Sequence, residues 1–170
     1  QVGGNLYALT QEIIHLLNYT EHPVAFYISN DSGFNATSFF NRNDDEPHYI
    51  VFNSGLLEKH TETEMRFVIG HELGHLIYKH SIFNHFIDNI YPSGYPNFIK
   101  KIYQLWSNLS EMSADRAGSL AVDNFDTAMS AMFKMSSGLD MASLQVKAKH
   151  FMAMNDKLVA DMTTSRLNYN

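Results

Sequence analysis

The 170-residue chain contains no cysteine, so neither a disulfide framework nor thiol chemistry is available, and the redox compartment stays open. Only 18% of the residues are charged and the formal net charge is −6. That balance argues against nucleic-acid binding, which needs clustered Lys and Arg. No apolar run reaches about 18 residues, so no membrane span is expected in this chain. Repeats and low-complexity stretches are missing as well. What the chain has is 13% aromatic residues and nine methionines, large adaptable side chains suited to a core. Its length predicts one domain over 1–170, burying about 70% of the surface its unfolded chain exposes. The first residue is Gln rather than Met, which suggests a fragment or processed form of a longer precursor. A removed upstream segment, and with it an extracytoplasmic location, is compatible with that start. Asn-x-Ser/Thr sequons occur at Asn18, Asn30, Asn35 and Asn108, and none is expected to carry a glycan.

Apolar periodicity predicts a helix from Leu6 to Tyr19. Strand-like segments follow at 24–29, 34–40 and 49–53, with a turn at Asn30 to Gly33 and an acidic loop at Asn41 to Pro47. Helical patterns dominate the remainder. One begins near Pro96, one is capped by Asp123 or Asn124 and stops at Ser136-Ser137-Gly138, and a last one runs from Met141 to near Arg166. The expected class is therefore α+β: a helical majority beside a sheet of about three strands.

Residues 71–75 read His-Glu-Leu-Gly-His. On a helix the two histidines lie one turn apart and project from one face, where both imidazoles can hold a zinc ion. Glu72 between them is poorly placed to bind the same ion but can take a proton from a water on it. The segment reads as a helix from Glu62 to His80. It opens with a Thr61-x-x-Glu64 capping box and carries an apolar stripe of Met65, Val68, Ile69, Leu73, Leu76 and Ile77. Gly70 and Gly74 beside the histidines suggest that another element approaches closely.

Catalytic zinc usually takes three protein ligands and leaves one position for water. The helical pattern after Pro96 has an apolar stripe (Phe98, Ile102, Leu105, Leu109, Met112) and a second line of Ser107, Glu111, Ala114 and Gly118. That small-residue line suits a face pressed on Gly70 and Gly74, and it would aim Glu111 at the histidines. Asp115, one turn on, could accept a hydrogen bond from a ligand imidazole and fix its tautomer.

These stretches also resemble the zinc metallopeptidases that include HtpX and the CAAX prenyl proteases, within the gluzincins. Asn35-Ala36-Thr37-Ser38-Phe39 resembles their Asn-Ala segment entering a strand. His48 to Leu57 resembles their strand followed by Gly-Leu-Leu. Glu64 to His80 resembles their active-site helix, and Glu111 to Arg116 their Glu-x-x-Ala-Asp-Arg segment. The resemblance fades after Leu120, and the membrane helices of many members have no counterpart here. It implies a mostly helical zincin-like domain and one Zn2+ held by His71, His75 and Glu111. It also implies Glu72 as the catalytic acid/base, Asp115 as an outer partner, a peptide or protein substrate, and a strand after Asn35 bordering the cleft. The expected function is a zinc metalloendopeptidase in which Glu72 activates a zinc-bound water.

Other residues invite roles. His80, nine residues after His71, projects roughly 180° away from it on an ideal helix and reads as a helix C-terminal histidine. Tyr91, Tyr95, Tyr103 and His150 are candidates for oxyanion donors, and the Tyr91 to Pro96 loop for a rim of the site. Two alternatives stand beside the peptidase. Glu12-x-x-His15 and Glu72-x-x-His75 together resemble the paired motifs of di-iron carboxylate proteins. A non-catalytic zinc-bearing interaction module is the other.

Overall fold

A computed structural model of the protein describes residues 2–43, 45–139 and 153. The expected last helix and His150 lie outside the described residues. The element order is α1 (Val2–Leu16), β1 (Val24–Ser29), β2 (Ala36–Phe39), β3 (His48–Asn53), α2 (Ser54–Lys59), α3 (Glu62–Ile77), α4 (His80–Ile90), α5 (Asn97–Leu120) and α6 (Phe125–Ser137). This is the α+β arrangement expected, helical for the most part beside a three-stranded sheet. None of the described helices is long and apolar enough to cross a membrane.

The strand order is β1-β3-β2. β3 lies in the middle, parallel to β1 and antiparallel to β2, with Ser38 opposite Ile50 and Ala36 opposite Phe52. Strand side chains alternate between faces, and β3 buries His48, Ile50 and Phe52 while Tyr49, Val51 and Asn53 stay half-buried. The buried face packs on Leu9 and Ile13 of α1 and on Met65, Val68, Ile69, Leu73 and Leu76 of α3. β2 is left as an edge strand. The first turn of α2 depends on a glycine: a Cβ on Gly55 would lie 2.2 Å from the Ser32 carbonyl oxygen, while the Gly55 amide donates to the Asp31 carbonyl at 2.9 Å.

The capping box predicted at Thr61 forms. Thr61 Oγ1 accepts from the Glu64 amide at 3.3 Å, and Glu64 Oε2 accepts from the Thr61 amide at 2.8 Å. α3 is not amphipathic, however. From Met65 to Leu76 most of its residues are buried on every side, as befits a central helix. It also ends three residues earlier than expected, because Lys79 turns left-handed (φ 54°) and α4 starts at His80.

α5 crosses α3 on its small-residue face. A Cβ on Gly74 would meet the Ala117 Cβ at 2.9 Å and the Ala114 Cα at 3.0 Å; one on Gly70 would meet the Gly118 Cα at 3.0 Å. Closeness of approach, not apolar area, selects this face. The stripe of Phe98, Ile102, Leu105, Leu109 and Met112 is exposed as a result. Gly74→Ala should force α5 outward. We expect a loss of about 1–3 kcal/mol in urea unfolding. An unchanged value would count against this packing.

Candidate metal centre

Two neighbouring turns of α3 and one turn of α5 converge on a cleft of about 660 Å3. His71 Nε2 and His75 Nε2 stand 3.1 Å apart. Glu111 brings its oxygens to 3.5 Å from His71 Nε2 and 3.8 Å from His75 Nε2. Donor atoms bonded to one ion at about 2.0–2.1 Å with tetrahedral angles stand ~3.3–3.4 Å apart. The observed edges bracket that value, and these three residues form a group able to hold one metal ion.

The protonation of the donors fits as well. His71 Nδ1 lies 3.0 Å from Asp115 Oδ1. A carboxylate accepts, so Nδ1 carries the ring proton and Nε2 turns a lone pair towards His75. Two imidazole nitrogens facing each other at 3.1 Å need a proton or a cation between them. Free of metal, a proton takes that place. Burial lowers the His71 pKa, but hydrogen bonds to Asp115 and Glu111 outweigh it and raise the value to about 9. Burial and the charge on His71 push His75 the other way, to about 4.

Glu72 is 4% exposed and faces the same cleft. Burial raises its pKa, opposed by the positive charge on His71 and by hydrogen bonds with Ser38 of β2. Edge strand β2 thus borders the cleft through Ala36, Thr37 and Ser38, with Asn35 just before it. The expectation that the strand after Asn35 borders the cleft agrees with this geometry. α6 also lines the cleft, mainly with the apolar Met129, Met132, Phe133 and Met135 beside Ser136.

His80 departs from its expected position. The left-handed Lys79 breaks the helical projection, so the ring turns back into the cleft instead of pointing away from His71. It is buried, with Nδ1 2.9 Å from His75 Nδ1 and Nε2 3.0 Å from Ser113 Oγ. Its closeness to His75 in sequence is the one signal, and projection along an unbroken helix conceals it. Ser38 and Ser113 carried no sequence signal of their own.

Three other expectations do not survive. Tyr91, Tyr95 and Tyr103 do not line the cleft, nor does the loop from Tyr91 to Pro96. Tyr95 instead hydrogen-bonds Asp88 and stacks on Tyr103. The di-iron alternative fails because Glu12 and His15 are exposed on α1. Glu12 is held there by Arg66 in a two-pronged ion pair of 2.7 and 3.0 Å.

A sequence model of peptidase family M48 matches residues 2–95. No curated protein and no solved structure gives a significant match. The matched segment holds His71, Glu72 and His75 but stops short of Glu111 and Asp115, whose nearness to the histidines is a result of the tertiary structure.

Proposed function

The chain belongs to peptidase family M48, a family of metallopeptidases acting on peptides or proteins, and on that premise we propose that it is a zinc-dependent metalloendopeptidase. The observation that carries this reading is the convergence of His71, His75 and Glu111 beside the buried carboxylate of Glu72. Two neutral imidazoles and one carboxylate are a donor set suited to zinc, and as a three-ligand set it leaves room for a fourth group. When bound, the ion would supply Lewis acidity, polarising a carbonyl and easing deprotonation of water.

The protein's own groups account for the rest. Asp115 holds the His71 ring in the tautomer that frees Nε2. An extended peptide lies along the outer edge of β2, bonding backbone to backbone, with its scissile carbonyl beside the His71–His75–Glu111 cluster. The apolar side chains of α6 receive a hydrophobic side chain flanking the cleavage point. Glu72 accepts the proton of the attacking water on a carboxylate oxygen and hands it to the leaving amine. Its raised pKa suits a group that must both take and give a proton near neutrality.

Metal analysis of the wild type and of Glu111→Ala, with cleavage of a broad peptide library, tests this. The wild type should hold one zinc per chain and cut internal bonds. Glu111→Ala should weaken zinc binding by more than the roughly 10–100-fold that loss of an outer partner costs, and hydrolysis should disappear with it. One zinc bound without cleavage of any library member would favour the non-catalytic module instead.

A further inference from the structure

We propose that His80 and Ser113 are positioning residues that set the tautomer of His75 and thereby present its Nε2 as a metal ligand. The inference deepens the metallopeptidase reading and rests on it.

The protons can be counted from one end of a hydrogen-bonded chain. It runs from the Ser110 carbonyl on α5 to Ser113 Oγ (2.9 Å), then to His80 Nε2 (3.0 Å), and from His80 Nδ1 to His75 Nδ1 (2.9 Å). A carbonyl can only accept, so the Ser113 hydroxyl spends its single proton on Ser110. Ser113 Oγ must then accept from His80, which puts the ring proton of His80 on Nε2. His80 Nδ1 is left as an acceptor, and it receives the proton that His75 carries on Nδ1. By elimination His75 Nε2 is a bare lone pair, 3.1 Å from His71 Nε2 and on the side of Glu111.

Both candidate ligand histidines thus have their outer nitrogen engaged, by different means. Asp115 serves His71 with a carboxylate, and His80 serves His75 with a neutral ring backed by a serine. Asp115 and Ser113 both sit on α5 within one turn of Glu111. The helix that supplies the third donor therefore also sets the orientation of the other two. The His80 ring is packed for this task, stacked against Tyr78 at 5.6 Å and edge-on to Trp106 at 6.0 Å.

Zinc itself is the probe, its affinity read by competition with a chromogenic chelator. Long-range 15N–1H correlation spectra of the zinc-loaded protein read the His75 tautomer. In the wild type, the His75 proton should sit on Nδ1. His80→Leu and Ser113→Ala should each lower zinc affinity about 10–100-fold. His80→Gln, whose amide can accept from His75 and donate to Ser113, should recover most of it. Should His80→Leu fail to fold, Ser113→Ala still decides, since it removes only one hydroxyl. Wild-type affinity in Ser113→Ala and His80→Leu would overturn the inference, as would His80→Gln binding no better than His80→Leu or a proton on His75 Nε2. Each of these can occur while the wild type still binds zinc and cleaves peptides. A wild type that binds no zinc overturns the metallopeptidase reading and this inference together.

Discussion

Glu72→Gln should cut kcat/KM for peptide hydrolysis by roughly 10²–10⁴-fold, the usual contribution of a positioned proton-transfer group, and leave zinc content unchanged. Gln keeps the shape of the side chain and can still bond Ser38, but it cannot accept a proton. His71, His75 and Glu111 are untouched. Burial disfavours the charged form of Glu72, so the neutral amide should melt at the wild-type temperature or above it. Loss of turnover, retained metal and undiminished stability together distinguish a catalytic carboxylate from a structural one. Full hydrolysis in this variant would remove Glu72 from the chemistry.

The second large effect is on folding. Lys134 of α6 is 5% exposed, and its Nζ donates to Glu64 Oε2 at 2.8 Å and to the Lys59 carbonyl at 3.0 Å. Glu64 also accepts from Ser130 Oγ at 2.6 Å and from the Thr61 amide. One buried carboxylate therefore caps α3 and fastens α6, the helix that lines the cleft with apolar side chains. Lys134→Ala leaves that charge buried without its cation and should cost about 3–5 kcal/mol in denaturant unfolding. Adding Glu64→Gln to Lys134→Ala should recover a good part of the loss, because no unpaired charge remains.

The same pair sets a dependence on acid. Burial alone would raise the Glu64 pKa, but Lys134, Ser130 and Thr61 outweigh it and lower the value from 4.5 to about 2. A carboxylate with a depressed folded pKa contributes its stability above the unfolded value and loses it as pH falls towards the folded one. The wild-type advantage over Glu64→Gln, which cannot titrate, should be complete above about pH 5 and should shrink between there and about pH 2. A constant difference across that window would show that Glu64 is not the group responsible.

Much of this site could be read in the chain beforehand, and the parts that could not have physical causes. The pentapeptide at 71–75 and the capping box at Thr61 are local patterns, fixed by helical spacing and by backbone amides that need partners. Glu111 could be aimed because glycines on α3 and small residues on α5 share a helical period and only such faces can approach closely. Which way the apolar line of α5 points is not legible in the chain, since side chains such as Phe98 and Leu105 carry no information about whether anything covers them. His80 escapes helical projection because a single backbone inversion at Lys79 rotates everything after it, and a lysine in left-handed conformation has no reliable sequence signature.

By itself, then, the sequence determined the α3 turn that offers two imidazoles with a carboxylate between them, for which contacts within four residues suffice. Only the tertiary structure decided how near Glu111 comes to the two imidazoles, that His80 turns to the outer nitrogen of His75, and that α6 lines the cleft. Those arrangements depend on how closely two helices can approach and on one inverted residue, which are properties of surfaces meeting in space and not of neighbours along the chain.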